Sequence, residues 1–214
     1  MSVLESSVVD DELDPPLTLV RAEPSAALPL DLDAAEDAAR AFLRALGVPC
    51  DSLGTVRSPR RMAQAYAELL TPREFEATTF PNDEGYDELV LVCDIGFSSV
   101  CEHHLLPFSG VAHVGYLPGD RILGLSKFAR VVELFSRRPQ VQERLTRQVV
   151  DWLDGELSPR GVGVVIEAEH SCMSLRGVRA TGSTTRTVAL TGAIRDDPAN
   201  RAEFLAAIDR RRTA

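Results

Sequence analysis

The sequence predicts an α+β domain, on three observations. Stretches with a helical apolar period alternate with short β-branched runs, the strand-like runs come in pairs, and amphipathic helices separate one pair from the next. The first helix is expected from Asp33, where Asp33 and Glu36 have capping-box spacing and DAAEDAARAFLRALG ends on Gly47. A second helix starts at Ser58 with Pro59 in its first turn, and Met62, Ala65, Tyr66 and Leu69 form its apolar stripe.

From Glu88 the period shortens. ELVLVCDIGF reads as one strand and Gly110–Leu117 as the next, with the polar segment FSSVCEHHLLP connecting them. Leu125 to Arg138 reads as a helix burying Phe128, Val131, Val132 and Phe135, with Lys127 and Arg130 sharing another face. Pro139 is expected to open a further helix striped by Val141, Leu145, Val149 and Trp152, which puts Gln142 and Glu143 near its start. Gly161–His170 and Arg186–Ile194 form the second strand pair, and Asn200 with Glu203 opens a closing helix that buries Phe204, Leu205 and Ile208.

A chain of 214 residues suffices for one well-buried domain with extensions. Residues 1 to 31 hold seven acids and one base, so this arm supplies −6 of the net charge of −9 and leaves the remainder near neutral. With four prolines and no sustained period, the arm is expected to be disordered. The expected division is an acidic arm over 1–31, a helical region over 32–75 and a catalytic domain over 76–214. The acidic balance excludes general nucleic-acid binding, which needs a basic face. No apolar run is long enough for a bilayer and the start lacks a secretory pattern, so a cytoplasmic protein is expected.

Four cysteines without a regular framework argue for thiols available to a metal rather than disulfides. Cys101 and His104 lie three residues apart, and Cys172 follows far downstream beside His170. Two soft thiolates and one imidazole suit zinc, and three protein donors leave the fourth tetrahedral position to water. Three of the four histidines, His103, His104 and His170, fall within three residues of a cysteine, a crowding that chance explains poorly. Because adjacent side chains diverge, His103 and His170 are expected beside the metal as proton-transfer groups rather than on it. His113, alternating with valine on a strand, is expected in a packing or hydrogen-bonding role.

These residues carry a resemblance. CEHHLLPFSG, GLSKFARVVELFSRRPQVQERLT and HSCMSLRGV resemble the GTP cyclohydrolase I family in order and spacing, and SPRRMAQAYAELL is similar to that family's N-terminal helix. The resemblance implies a tunnelling fold (T-fold) with an antiparallel sheet and packed helices, assembled as a homodecamer of two pentamers with active sites between subunits. It implies hydrolysis of GTP to 7,8-dihydroneopterin triphosphate and formate by a zinc-activated water, the first step of tetrahydrofolate and pterin biosynthesis. The zinc ligands would be Cys101, His104 and Cys172, and the proton-transfer groups His103 and His170 with Ser126. Lys127, Arg130 and Arg176 would grip the triphosphate together with Ser126. Glu143 would accept from the guanine edge, with Gln142 a polar neighbour in the same pocket.

Cys93 departs from the pattern, standing where the family is expected to carry a basic residue. Two other readings remain at this point: a paralogue serving a deazapurine or other specialised pathway, and a non-catalytic purine- or pterin-binding protein of the same fold. Retention of Glu143 with the basic set favours GTP over the first, and retention of both His103 and His170 argues against the second.

Overall fold

The structure is a computed structural model and describes residues 29 to 209. The acidic arm expected over residues 1–31 therefore lies, up to residue 28, outside the described residues. Two helices come first, α1 (Leu32–Ala45) and α2 (Ser58–Leu70), packed on each other. The α1 cap is a correction to the sequence reading. The Asp31 carboxylate, not that of Asp33, accepts from the Asp33 and Ala34 backbone N–H groups at 3.1 and 3.0 Å, while Asp33 pairs with Arg60 at 2.6 Å.

Five strands form the main sheet: β2 (Val90–Cys101), β3 (Pro107–Leu117), β5 (Pro139–Gln140), β6 (Gly161–His170) and β7 (Thr185–Leu190), in spatial order β5-β2-β3-β6-β7. The neighbours are antiparallel except β5, which runs parallel to β2. A small separate ladder joins β1 (Thr79–Pro81) and β4 (Arg121–Leu123). α3 (Leu125–Ser136) and α4 (Gln142–Leu157) lie on one face of the sheet. The short α5 (Ser171–Ser174) follows β6, and α6 (Gly192–Asp196) and α7 (Pro198–Asp209) close the chain.

The alternation of side chains along each strand sorts the apolar residues onto two faces. Ala112, Val114 and Tyr116 of β3 and Val162, Val164 and Ile166 of β6 point the same way, and Phe128, Val131 and Val132 of α3 with Leu145, Val149 and Leu153 of α4 cover them. Leu117 and Val165 face the opposite way and pack under Ile194, Phe204 and Ile208. This second layer explains why β6 is buried along eight of its ten residues, through to Ala168.

Three boundaries differ from expectation. β2 continues through FSSV to Cys101, so the polar connection shrinks to residues 102–106 and Cys101 belongs to a strand end. Pro139 does not open a helix: Pro139 and Gln140 pair with Val100 and Cys101, an edge position that tolerates a residue without an N–H. The last strand stops at Leu190 instead of Ile194, because Gly192 turns into the left-handed region at φ +51° and starts α6.

Registers fix which residues meet at one end of the sheet. Val100 pairs with Pro107, Cys101 with Gln140, and Phe108 with His170. The β-bulge in β2 between Val92 and Ile95 contains Cys93 and puts Asp94 at φ +56°. No helix among the described residues is long and apolar enough to cross a membrane.

Gly110 of β3 is pressed against β6, where a Cβ would come within 1.9 Å of the Glu167 carbonyl oxygen. Gly110→Ala should therefore cost about 1–3 kcal/mol or more and lower the melting temperature by roughly 2–12 °C. A thermal melt that matches the parent protein would contradict this packing and the register it fixes.

Candidate metal centre and active site

The Cys101 end of β2 runs into a tight turn. The Leu105 N–H donates to the Cys101 carbonyl at 2.8 Å, the Cys101 N–H to the Leu106 carbonyl at 2.9 Å and the Glu102 N–H to the Gln140 carbonyl at 3.0 Å. Leu105 is left at φ +51°, a conformation that costs a non-glycine residue about 1–2 kcal/mol. The Tyr66 hydroxyl of α2 donates to the Leu105 carbonyl at 2.9 Å and braces the turn from outside the sheet.

This turn brings His104 Nδ1 to 3.7 Å from Cys101 Sγ. Across the sheet end, β6 delivers His170 and α5 delivers Cys172. One donor atom from each of Cys101, His170 and Cys172 lies within 4.8 Å of the other two. Two imidazoles thus flank the thiol pair, and the one grouped with both sulfurs is His170, which the sequence reading had set beside the metal rather than on it. His104 and His103 lie exposed on the turn, their rings 6.4 Å apart. His103 Nε2 is 4.0 Å from Glu102, whose other oxygen takes a hydrogen bond from Arg144.

The electrostatics suit a cation. Burial pushes the Cys172 thiol up, and the neighbouring Cys101 sulfur pushes it further, while Arg176 pulls it back. Two adjacent sulfurs resist ionising together unless a positive ion stands between them, a charge that a bound divalent metal would supply. The donor set therefore fits a thiolate-imidazole metal. Burial also holds the His170 imidazole below its ordinary value, against the opposing charge of Glu143, which favours the neutral ring.

Those same couplings place two residues of the expected substrate set: Arg176 acts electrostatically on Cys172, and Glu143 on His170. Ser126, Lys127 and Arg130 occupy the first half of α3, whose Gly124 cap makes no side-chain capping bond. Arg130 pairs with Glu133 at 3.3 Å. Gln142 is the first residue of α4. It is 2% exposed, and its amide nitrogen donates to the Ile166 carbonyl, the Thr185 carbonyl and Thr187 Oγ1 at 3.0, 2.9 and 3.1 Å, which commits its donors within the chain. His113 is buried, its Nδ1 accepting the Asp94 N–H at 3.3 Å.

Sequence reasoning missed Phe108, whose ring stacks on His170 with centroids 4.4 Å apart and planes 6° from parallel. It also missed Tyr66. Neither carries a local signal, because each reaches the site only through pairing or packing between distant segments.

A sheet end carrying two thiols and two imidazoles, with an acid and a base coupled to them, could hold a metal ion, as thiolate-histidine groups in metal-dependent enzymes do. The chain belongs to the GTP cyclohydrolase I family, whose sequence model matches residues 35–209. It is 50% identical over 186 residues to GTP cyclohydrolase 1 of Rhodopirellula baltica, covering 85% of this chain and 80% of that one. Against GTP cyclohydrolase 1 of Aquifex aeolicus it is 49% identical over 176 residues, covering 82% and 96%. Against the protein of the same name from Mycobacterium tuberculosis (strain ATCC 25618 / H37Rv) it is 52% identical over 180 residues, covering 82% and 89%. Among solved structures, apo archaeosine synthase QueF-Like aligns with 49% of this chain and 93% of that one at 21% identity and a TM-score of 0.41, a likeness too loose to add to the assignment.

Cys101→Ser and Cys172→Ser should each strip the purified protein of most of its zinc, measured by atomic emission. Undiminished metal in either variant would remove that residue from the centre.

Proposed function

We propose that the chain hydrolyses GTP to 7,8-dihydroneopterin triphosphate and formate, as the name shared by its relatives indicates. The observation that carries this reading is the meeting of Cys101, Cys172 and an imidazole at the sheet end, beside a carboxylate that acts on His170. Zinc held by Cys101, Cys172 and His104 would supply the Lewis acidity that ionises water near neutral pH. Counting His170 as a fourth protein ligand would close the coordination sphere and leave no place for solvent, the structural rather than the catalytic arrangement.

The chain's own groups then divide the work. Glu143 accepts from the N–H and amino group of the guanine edge, a pair of donors that adenine does not offer in that arrangement. Lys127, Arg130 and Arg176 hold the triphosphate, with Ser126 at the uncapped start of α3, where backbone N–H groups favour an anion. His170, whose neutral form burial favours, would take up a proton, and His103 on its exposed turn would pass one on as the imidazole ring opens. Ser126 joins these two in proton transfer during closure to the pterin.

Membership of the GTP cyclohydrolase I family supports completion of the site by a second subunit. A homodecamer of two pentamers in the cytoplasm, serving the entry to tetrahydrofolate biosynthesis, is the assembly this reading expects. The 1–31 arm, the 32–75 helical region and the 76–214 catalytic domain remain its proposed divisions.

Zinc-loaded protein incubated with GTP should release formate and form a fluorescent pterin after oxidation, and a chelator should stop both. Stoichiometric zinc without formate would return the protein to the purine-binding alternative. Glu143→Gln should lower kcat/KM for GTP about 10–150-fold, the worth of a hydrogen bond to a charged group, and an unchanged value would take Glu143 out of the guanine contact. His104→Ala should lose zinc, whereas His170→Ala should keep zinc and lose rate. The reverse pattern in metal analysis would exchange the two imidazoles' roles.

A further inference from the structure

Gln142 is the first residue of α4, and its side chain is sealed between α4, β6 and β7. Its amide nitrogen faces the Ile166 and Thr185 carbonyl oxygens and Thr187 Oγ1, and its amide oxygen faces His170 Nε2 at 2.9 Å. The amide cannot be reversed, because its oxygen would then oppose two carbonyl oxygens, which accept and never donate. The Thr187 hydroxyl lies 2.6 Å from Thr146 Oγ1, which donates to the Gln142 carbonyl at 2.7 Å, so the backbone and side chain of Gln142 are tied into one network.

An acceptor fixed opposite Nε2 requires a proton on Nε2. We infer that Gln142 is a positioning residue that sets the tautomer of His170, holding the proton on Nε2 and leaving Nδ1 as the ring's lone-pair nitrogen. Phe108, its ring stacked on His170 at 6° from parallel, fixes the ring plane that this bond requires. Whether His170 accepts a proton or touches the metal, it acts through Nδ1, and Gln142 acts through His170 without touching substrate.

The tautomer is readable without turnover, so this inference and the GTP reading on which its kinetic arm rests fail separately. The chain has four histidines, which makes 15N-histidine labelling tractable. In the zinc-loaded protein at neutral pH and without nucleotide, magic-angle-spinning 15N spectra, assigned with His170→Ala, should show His170 protonated at Nε2 and bare at Nδ1. A proton on Nδ1 instead would overturn the inference whatever the protein does with GTP. Gln142→Met, close in volume, should abolish the single-tautomer signature and lower kcat about 10–100-fold, the usual effect of removing the partner that orients a functional histidine, with little change in KM for GTP. A raised KM with kcat intact would make Gln142 a substrate contact and sink the proposal. If Gln142→Met does not fold, the spectrum of the unaltered protein still decides.

Discussion

Everything at the candidate site depends on the hydrogen-bond register of three strands. β3 and β6 pair without interruption from Phe108 opposite His170 to Leu117 opposite Gly161, and β2 closes against the start of β3 at Val100 and Pro107. Because side chains alternate, a slip of one residue would carry His170 to the other face of the sheet and separate it from both sulfurs. Buried surfaces on both faces oppose such a slip: α3 and α4 cover one, α6 and α7 the other. The metal-capable residues are thus held by apolar packing that has nothing to do with metals.

Helices with a clear stripe were legible in the sequence, and so was β6, whose limits fall where the apolar run predicts. What escaped was decided by partners far along the chain. Pro139 reads as a helix start, yet the open edge of β2 captures it as a strand. RTVALTGAI reads as continuous, yet Gly192 bends away because the close approach of Arg160 leaves no room for a side chain there. Asp33 has the better capping-box spacing, but Arg60 of the next helix engages it and Asp31 takes the cap.

The site shows the same division. The crowding of cysteine and histidine is local, so both halves of the centre were visible: Cys101 with His103 and His104, and His170 with Cys172. Which imidazole stands closest to both sulfurs is a matter of register and was not visible. Glu143 and Arg176 acquire their connection to the centre through electrostatics across the fold. Gln142 was expected as a polar neighbour in the guanine pocket, and its burial between α4, β6 and β7 was not visible, because nothing in a single sequence tells a buried amide from an exposed one. Family membership, established over residues 35–209, supplies what spacing alone could not.

The brace from Tyr66 to Leu105 has a partner in Arg137, which donates to the Glu68 carbonyl at 2.7 Å near the end of the same helix. α2 is therefore latched both to the turn bearing His103 and His104 and to the exit of α3. The front helical pair is scaffolding for the chemistry rather than an ornament upstream of it. A minimal catalytic unit cut back to the sheet would present its histidine turn with one wall missing, which sets the lower limit for trimming this chain nearer residue 58 than residue 76.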